Sequence, residues 1–266
     1  MSNELRPGFV RDLLRLDGQV ALIMGGRGAL AEAIASTLAD LGCEVALASR
    51  HERECAEMAT RITTRFERRA LGLYCDIARE EDIERTVAEV STRLGEIRIL
   101  VNNAGTSWWG LPEQIPLAGW QKVLDVNLTG TFLSCRHAAR RMIAAGGGGA
   151  IINIASVGAY LSYTPEVGQV VPYTTTKAAI VHLTRDLAAQ WAGHGIRVNA
   201  IAPGSVESGM TETLTDDVRQ RLLARILLRR LGQPIDVAGA VALLASQAGG
   251  FITGETLLVD GGQAIG

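Results

Sequence analysis

The stretch ALIMGGRGALAEAIA (residues 21–35) joins a strand-like apolar run to a glycine-rich turn and then to a helical stretch. In such a strand–turn–helix unit, the unpaired amide groups at the helix N-terminus point towards the turn and can bind a phosphate group. Residues 26–31, GRGALA, fit the pattern GxGxxA, but glycine-rich turns are common and the pattern is weak on its own. The rest of the chain therefore has to show what this turn binds.

Apolar runs alternate with amphipathic helical stretches along nearly the whole chain. The predicted strands cover residues 20–25, 44–49, 70–76, 97–105, 150–156, 196–204 and 256–262. The helical stretches between them end at glycines such as Gly42 and Gly95, as helices commonly do. This alternation predicts an α/β fold, with one doubly wound, seven-stranded parallel sheet and five or six connecting helices on its two faces. Residues 1–17 are predicted to form an N-terminal extension and residues 18–266 a single domain.

Composition and charge argue against several classes of protein. The chain has 266 residues, of which 47% are hydrophobic and 20% charged, and its formal net charge is −2. Charges of both signs are interspersed, so we expect neither a nucleic-acid partner nor a membrane partner. Cys43, Cys55, Cys75 and Cys135 form no CxxC pair and have no nearby histidine cluster, so no metal site is expected. Charged residues interrupt the N-terminal segment, and a cytoplasmic location is the expectation.

The end of the second predicted strand indicates which nucleotide the turn would hold. An Asp or Glu at this position hydrogen-bonds the 2′-hydroxyl of an adenosine ribose, whereas an Arg accommodates a 2′-phosphate. Here the strand ends in ALASRHER (46–53), with Ser49 and Arg50 at the deciding position. The pattern favours NADP(H), with NAD(H) as the second choice. The alternative interpretation is that Arg50 is only a solvated residue at the start of a helix.

A second group of residues indicates proton transfer. The stretch VPYTTTKAAI (171–180) places Tyr173 and Lys177 four residues apart, and therefore on one face of a helix. A tyrosine is a weak acid at neutral pH, but a neighbouring ammonium group and a positively charged oxidised nicotinamide both favour the phenolate and are expected to lower its pKa. Ser156 stands at the C-terminal end of a predicted strand, where its hydroxyl could hydrogen-bond a substrate carbonyl.

Along the chain, the motifs come in the order glycine-rich turn, Arg50, Asp76, NNAG (102–105), Asn127, Ser156, Tyr173, Lys177 and IAPG (201–204). In this order, they resemble the short-chain dehydrogenase/reductase family over residues 18–262. The resemblance implies a Rossmann fold and hydride transfer at a carbonyl or alcohol carbon. In the family's TGxxxGxG turn, Gly25 is kept, Met24 replaces the threonine, and Ala29 and Ala31 replace the second and third glycines. Ala31 is tolerable because the third glycine mainly allows close packing of helix on strand. Ala29 is expected to weaken binding, since its Cβ lies where the backbone should approach the phosphate.

The resemblance also assigns roles to individual residues. Asn127, in VLDVNLTGTF (123–132), corresponds to the asparagine that holds a water in a proton relay reaching the lysine. The implied catalytic residues are Asn127, Ser156, Tyr173 and Lys177. The implied cofactor-binding residues are Gly25, Arg27, Gly28, Leu30, Ser49, Arg50, Asp76, Ile77, Asn103, Ala104, Gly105, Tyr173, Lys177, Pro203, Gly204, Val206 and Ser208. A homotetramer is implied as well, built through the long helices that carry Asn127 and Tyr173 and through the C-terminal strand.

Fewer sequence features indicate the small-molecule substrate than indicate the cofactor. The insertion YTPEVGQVVP (163–172) and the stretch that follows the fourth strand are most similar to the gluconate 5-dehydrogenase-like branch, which favours a sugar acid or polyol. Trp108 and Trp109 could stack on the substrate, or one could be a core residue and the other a subunit contact. Gln169 and Glu166 could bond sugar hydroxyls. Two alternatives stay open: a 3-oxoacyl-thioester reductase, and a nucleotide-sensing or scaffold protein without turnover.

Overall fold

A computed structural model describes residues 7–164, 168–207 and 216–266 of the protein. Seven parallel strands form one sheet in the order β3-β2-β1-β4-β5-β6-β7. The strands are β1 Val20–Met24, β2 Glu44–Ser49, β3 Ala70–Tyr74, β4 Ile97–Asn102, β5 Gly149–Ile154, β6 Ile196–Pro203 and β7 Thr256–Val259. The doubly wound parallel sheet predicted from the sequence is confirmed.

Helices cover both faces of this sheet. They are α1 Phe9–Leu14, α2 Gly28–Asp40, α3 Glu52–Phe66, α4 Glu80–Arg93, α5 Leu117–Leu124, α6 Gly130–Ala145, α7 Val171–Trp191, α8 Asp216–Arg225 and α9 Pro234–Ala245. Buried side chains of α2, α3 and α9 pack on one face, and those of α4, α6 and α7 pack on the other. Because both faces are covered, the strands are apolar at nearly every position, and all five residues of β1 are buried.

The strand order reverses beside β1, which lies between β2 and β4. At such a point the connections leave the sheet in opposite directions and open a crevice at the carboxyl ends of the strands. Three strands end earlier there than predicted, since β1 ends at Met24, β3 at Tyr74 and β4 at Asn102. The residues that follow them form loops at this edge, where they are free to contact a ligand.

The helical stretch from α5 to α6 is interrupted by a π-helical turn, Asp125–Thr129. Such turns insert one extra residue and occur frequently at functional sites. Here the turn carries Asn127, whose side chain is completely buried. The asparagine therefore points into the protein behind the carboxyl end of β4.

The predicted N-terminal extension is joined to the domain at its end. Leu16 is completely buried in the core, and its amide donates to the Leu41 carbonyl over 2.8 Å. Within the described ranges, every helix is too short or too polar to cross a membrane.

Candidate active site

A cleft of about 580 Å³ opens at the carboxyl ends of β1, β2, β3 and β4. This volume lies within the usual range for small-molecule sites. Its walls are formed by Met24, Gly25, Arg27, Gly28, Ala48, Ser49, Arg50, His51, Cys75, Asp76, Ile77, Asn103, Ala104, Gly105, Thr106 and Val126. The structure thus brings together most of the predicted cofactor-binding residues of the first half of the chain.

The glycine-rich turn forms one wall of this cleft. Gly25 has a φ of +82°, and a Cβ there would lie 2.4 Å from the Ala104 nitrogen, so only glycine fits. Gly28 begins α2, also with a φ of +82°, and no atom beyond its chain neighbours and its own helix backbone lies within 4 Å of the position that a Cβ would take. Space is therefore open at the N-terminus of the helix, as an incoming phosphate requires.

The two alanines of the turn differ in their surroundings. Ala31 is completely buried where α2 packs on the sheet, which agrees with the tolerance expected at that position. Ala29 is exposed in the first turn of α2. The weakening of phosphate binding that is expected from Ala29 concerns its contact with a ligand, and it stays a prediction.

The end of β2 presents a positive charge. Ser49 is buried, and its hydroxyl accepts from the His51 amide over 3.1 Å and lies 3.1 Å from the Cys55 thiol. Arg50 is exposed, and its side chain forms no ion pair or hydrogen bond with any residue that the structure describes. By contrast, the neighbouring Arg27 lies 3.3 Å from a carboxylate oxygen of Glu54. The Arg50 guanidinium is therefore available to an anion in the cleft.

The loop after β3 is held by a carboxylate that the sequence analysis did not single out. Asp82 accepts from the Asp76 amide over 3.0 Å and pairs with Arg85 over 2.8 Å. The hydrogen bond from the Asp76 amide is the main reason that the pKa of Asp82 is lowered. An acidic residue in the first turn of α4 was visible in the sequence, but its role in positioning Asp76 depends on a contact between two elements.

Ser156 and Tyr173 meet at the carboxyl end of β5. The Ser156 hydroxyl accepts from the Gly158 amide over 3.1 Å and hydrogen-bonds the Tyr173 side chain. Burial raises the pKa of Tyr173, and the hydrogen bond with Ser156 opposes this rise. The lowering expected from the ammonium is outweighed by desolvation in this structure, whereas the lowering expected from an oxidised nicotinamide stays a prediction.

Lys177 lies beneath Tyr173 and is only 3% exposed. Its Nζ donates to the Ile154 carbonyl over 2.6 Å and lies 5.6 Å from the centroid of the Tyr173 ring. Burial lowers the pKa of the ammonium to about 8. A lysine with such a pKa can both gain and lose a proton near neutral pH.

Asn127 links this group to the loop after β4. Its Nδ2 donates to the Thr106 carbonyl and to the Thr176 hydroxyl, both over 3.0 Å. Its Oδ1 accepts from the Thr106 amide over 2.8 Å. A Cβ at Gly105 would lie 3.7 Å from Lys177 Nζ and 3.8 Å from Asn127 Oδ1, so both polar groups face the same small gap.

Comparison with known proteins identifies the family. A family model described as enoyl-(acyl carrier protein) reductase matches residues 26–264. A short-chain type dehydrogenase/reductase from Mycobacterium marinum superimposes with a TM-score of 0.91 at 35% identity, covering 97% of this chain and 100% of that chain. This chain belongs to the short-chain dehydrogenase/reductase family. The resemblance stated from the sequence is therefore confirmed.

Two further relatives within the short-chain dehydrogenase/reductase family differ in substrate. The 3-oxoacyl-(acyl-carrier-protein) reductase FabG of Aquifex aeolicus (strain VF5) is 37% identical over 250 residues, 94% of this chain and 99% of that protein. A gluconate 5-dehydrogenase from Burkholderia cenocepacia J2315, in complex with NADP and tartrate, has a TM-score of 0.89 at 35% identity. The superposition covers 97% of this chain and 99% of the Burkholderia chain.

Some residues predicted for cofactor binding lie outside the walls of the cleft. Leu30 and Val206 pack against the hydrophobic core of the α2, α3 and α9 face. Pro203 ends β6, and Gly204 lies so near Asp260 that a Cβ would come within 2.7 Å of its Cα. Ser208 and Glu166 fall outside the described residues.

The residues predicted to contact substrate are in different environments. The Trp108 ring packs against α5, where a Cβ at Gly119 would lie 2.6 Å from it, which favours the structural alternative for this tryptophan. Trp109 is 69% exposed and free to contact another molecule. The Gln169 carbonyl accepts from the Gly110 amide over 3.0 Å, so the insertion is tied to the loop carrying both tryptophans.

Removing the buried ammonium should change how stability depends on pH. Below about pH 8, Lys177 is charged in the folded and in the unfolded protein, and its burial destabilises the folded state. Between about 8 and 10.5 the folded state releases this proton while the unfolded state keeps it, so stability rises with pH. Across this range, we expect the free energy of unfolding of wild type to rise by on the order of 3 kcal/mol relative to that of Lys177→Met.

Urea denaturation of both proteins at several pH values measures this difference. The chain's other lysine, Lys122, is exposed, and Lys122→Met should show no such pH-dependent difference from wild type. A constant difference between wild type and Lys177→Met at all pH values would contradict the inferred pKa.

Proposed function

We propose that this protein uses NADP(H) to interconvert a ketone and a secondary alcohol, with a small sugar acid or polyol as the substrate. The observation that carries the proposal is the cluster of Ser156, Tyr173 and buried Lys177 at the sheet edge that also holds the cleft. Its three polar groups suit proton transfer to a carbonyl oxygen, and the cleft has room for a nucleotide beside them.

When bound, NADPH supplies a hydride to the carbonyl carbon of a ketone, and NADP⁺ accepts one from the alcohol carbon in the reverse direction. The open N-terminus of α2 at Gly28 would face the pyrophosphate, and Gly25 would allow the turn to lie close to it. Arg50, which has no ion-pair partner among the described residues, would hold the 2′-phosphate, and this favours NADP(H) over NAD(H). The complex of the Burkholderia relative with NADP supports this assignment.

The chain's own residues would manage the proton. Tyr173 would donate it to the carbonyl oxygen during reduction and take it back during oxidation, while the Ser156 hydroxyl holds that oxygen in place. Lys177 would stabilise the phenolate that remains, and its lowered pKa allows it to pass on a proton. Asn127 would position the loop at Thr106 and, through a water, join the relay to Lys177.

Two alternatives compete with a sugar-acid or polyol substrate. The Aquifex relative supports a 3-oxoacyl-thioester reductase, whereas the complex of a gluconate 5-dehydrogenase with tartrate supports a small hydroxylated acid. Rates with 5-keto-gluconate and with a 3-oxoacyl thioester separate these two enzymes. A nucleotide-sensing protein without turnover would quench tryptophan fluorescence on binding NADPH but reduce no ketone.

We further propose that the protein is a cytoplasmic homotetramer. Large apolar side chains are exposed on the elements expected at subunit contacts, namely Phe132 and Ile143 on α6, Val171 on α7 and Leu258 on β7. β7 is also the outermost strand of the sheet, with one edge unpaired in the described chain. Light scattering of the purified protein measures the oligomeric state directly.

Replacing Arg50 by Gln should weaken NADPH selectively. A hydrogen bond to a charged group contributes about 1.5–3 kcal/mol, so KM for NADPH should rise about 10- to 100-fold. KM for NADH should change less than about threefold, because NADH lacks the 2′-phosphate. Arg61→Gln, on α3 but paired with Glu32, is the control and should leave both values unchanged. Equal losses for the two cofactors in Arg50→Gln would exclude the proposed role.

Replacing Tyr173 by Phe should remove the acid but leave the cofactor cleft intact. Because a positioned general acid contributes about 10²- to 10⁴-fold, kcat for ketone reduction should fall by at least about 100-fold. The Kd for NADPH, measured by fluorescence titration, should stay within about twofold, since Tyr173 does not line the cleft. Tyr74→Phe, which changes an exposed tyrosine at the end of β3, serves as the control. Substantial turnover in Tyr173→Phe would remove this residue as the acid.

A further inference from the structure

A second pocket, of about 320 Å³, lies at the amino ends of β4, β5 and β6. It is at the opposite edge of the sheet from the candidate active site, and it plays no part in the function proposed above. Its walls are formed by Gln19, Arg98, Gly147, Gly148, Gly149, Ala150, Gly195, Arg197, Ala245 and Gln247. Among these described residues two are cationic and none is acidic.

A β-bulge explains how Arg98 reaches this pocket. In the pairing of β1 with β4, Val20 is opposite Ile97 but Ala21 is opposite Ile99, so Arg98 is an extra residue. Ile97 and Ile99 consequently pack into the cores on opposite faces of the sheet. A bulge of this kind redirects the side chain of the inserted residue. Arg98 therefore turns to the sheet edge instead of entering either core.

Glycines form the wall next to Arg98. Its Nη1 donates to the carbonyls of Gly146 and Gly148, the latter over 2.9 Å. A Cβ at Gly147 would lie 3.2 Å from both Nη1 and Nη2, so the backbone rests against the guanidinium. Gly147 and Gly148 have φ values of +84° and +72°, which other residues rarely adopt. The glycine run thus keeps the pocket free of side chains.

Arg197 is partly buried and poorly compensated. Its Nη2 and Nη1 donate to the carbonyls of Ser246 and Ile252 over 3.3 and 3.4 Å, both long hydrogen bonds. Burial lowers its pKa. Neither Arg197 nor Arg98 forms an ion pair with a residue in the described ranges. Two cations facing one pocket without an acidic partner repel each other, and an anion bound there would offset this repulsion.

We propose that Arg98 and Arg197 bind a phosphate group in this pocket, either inorganic phosphate or the phosphate of a small phosphomonoester. Two guanidinium groups match the charge of a phosphate dianion, and their planar forks suit its oxygens. The pocket is at the small end of the range for ligand sites, which fits a compound of a few carbon atoms and excludes a dinucleotide.

Thermal denaturation tests the proposal. All samples contain saturating NADP⁺, so that the phosphate-binding positions of the cofactor cleft are occupied. Tm is then compared in potassium phosphate and in potassium chloride at equal ionic strength. Phosphate should raise Tm by about 2 °C or more in wild type, because a ligand of the folded state stabilises it. The rise should disappear in Arg98→Gln and persist in the control Arg61→Gln and in Arg50→Gln, whose change lies in the cofactor cleft.

Glycerol 3-phosphate distinguishes the two sources of the phosphate group. A rise in Tm with this ester alone would assign the site to phosphomonoesters, and a rise with both compounds to phosphate itself. Arg98→Gln could also lose the rise in Tm because it is destabilised. Isothermal titration calorimetry of the folded variant with the same two compounds therefore measures binding directly, and we expect the heat of binding to be lost. No rise with either compound in wild type, or an equal rise in Arg98→Gln, would overturn the proposal.

Discussion

The candidate active site depends on one close contact between two turns, at the carboxyl ends of β1 and β4. The backbone of Gly25 lies against Ala104, where a Cβ would come within 2.4 Å of the nitrogen. Asn103 closes this contact, since its side chain donates to the Gly25 carbonyl and its amide to the Met24 carbonyl, both over 2.8 Å. Because β4 pairs with β1, the contact joins the glycine-rich turn to the second half of the chain.

From this contact, a chain of hydrogen bonds extends to the helix that carries Tyr173 and Lys177, the residues proposed for proton transfer. The loop after β4 continues to Thr106, whose backbone is bound on both sides by Asn127. Asn127 also donates to Thr176, which precedes Lys177 on α7. Every polar atom of this buried asparagine is thereby satisfied, which fixes the distance between the cleft and α7. The π-helical turn is what allows Asn127 to reach inward.

Arginines without carboxylate partners mark both edges of the sheet. At the carboxyl edge, Arg50 is unpaired within the described chain while the adjacent Arg27 pairs with Glu54. At the amino edge, Arg98 and Arg197 have only carbonyl partners among the described residues. A guanidinium without a carboxylate partner can pair with an anion, so these positions suit an anionic ligand.

The sequence by itself determined the order and type of the elements, because hydrophobic periodicity and glycine positions report local backbone geometry. It also placed Tyr173 and Lys177 on one helix face, since a four-residue spacing is a property of any α-helix. It could not predict that burial raises the pKa of Tyr173 and lowers that of Lys177, because desolvation depends on what packs around each group.

Only the tertiary structure decided which predicted residues share a surface. Leu30 and Val206 pack against the core, and Trp108 packs on α5 while Trp109 stays exposed. The bulge that turns Arg98 to the sheet edge arises from the pairing of two strands far apart in the chain. Such outcomes depend on contacts between distant segments, and no local pattern of residue types contains them.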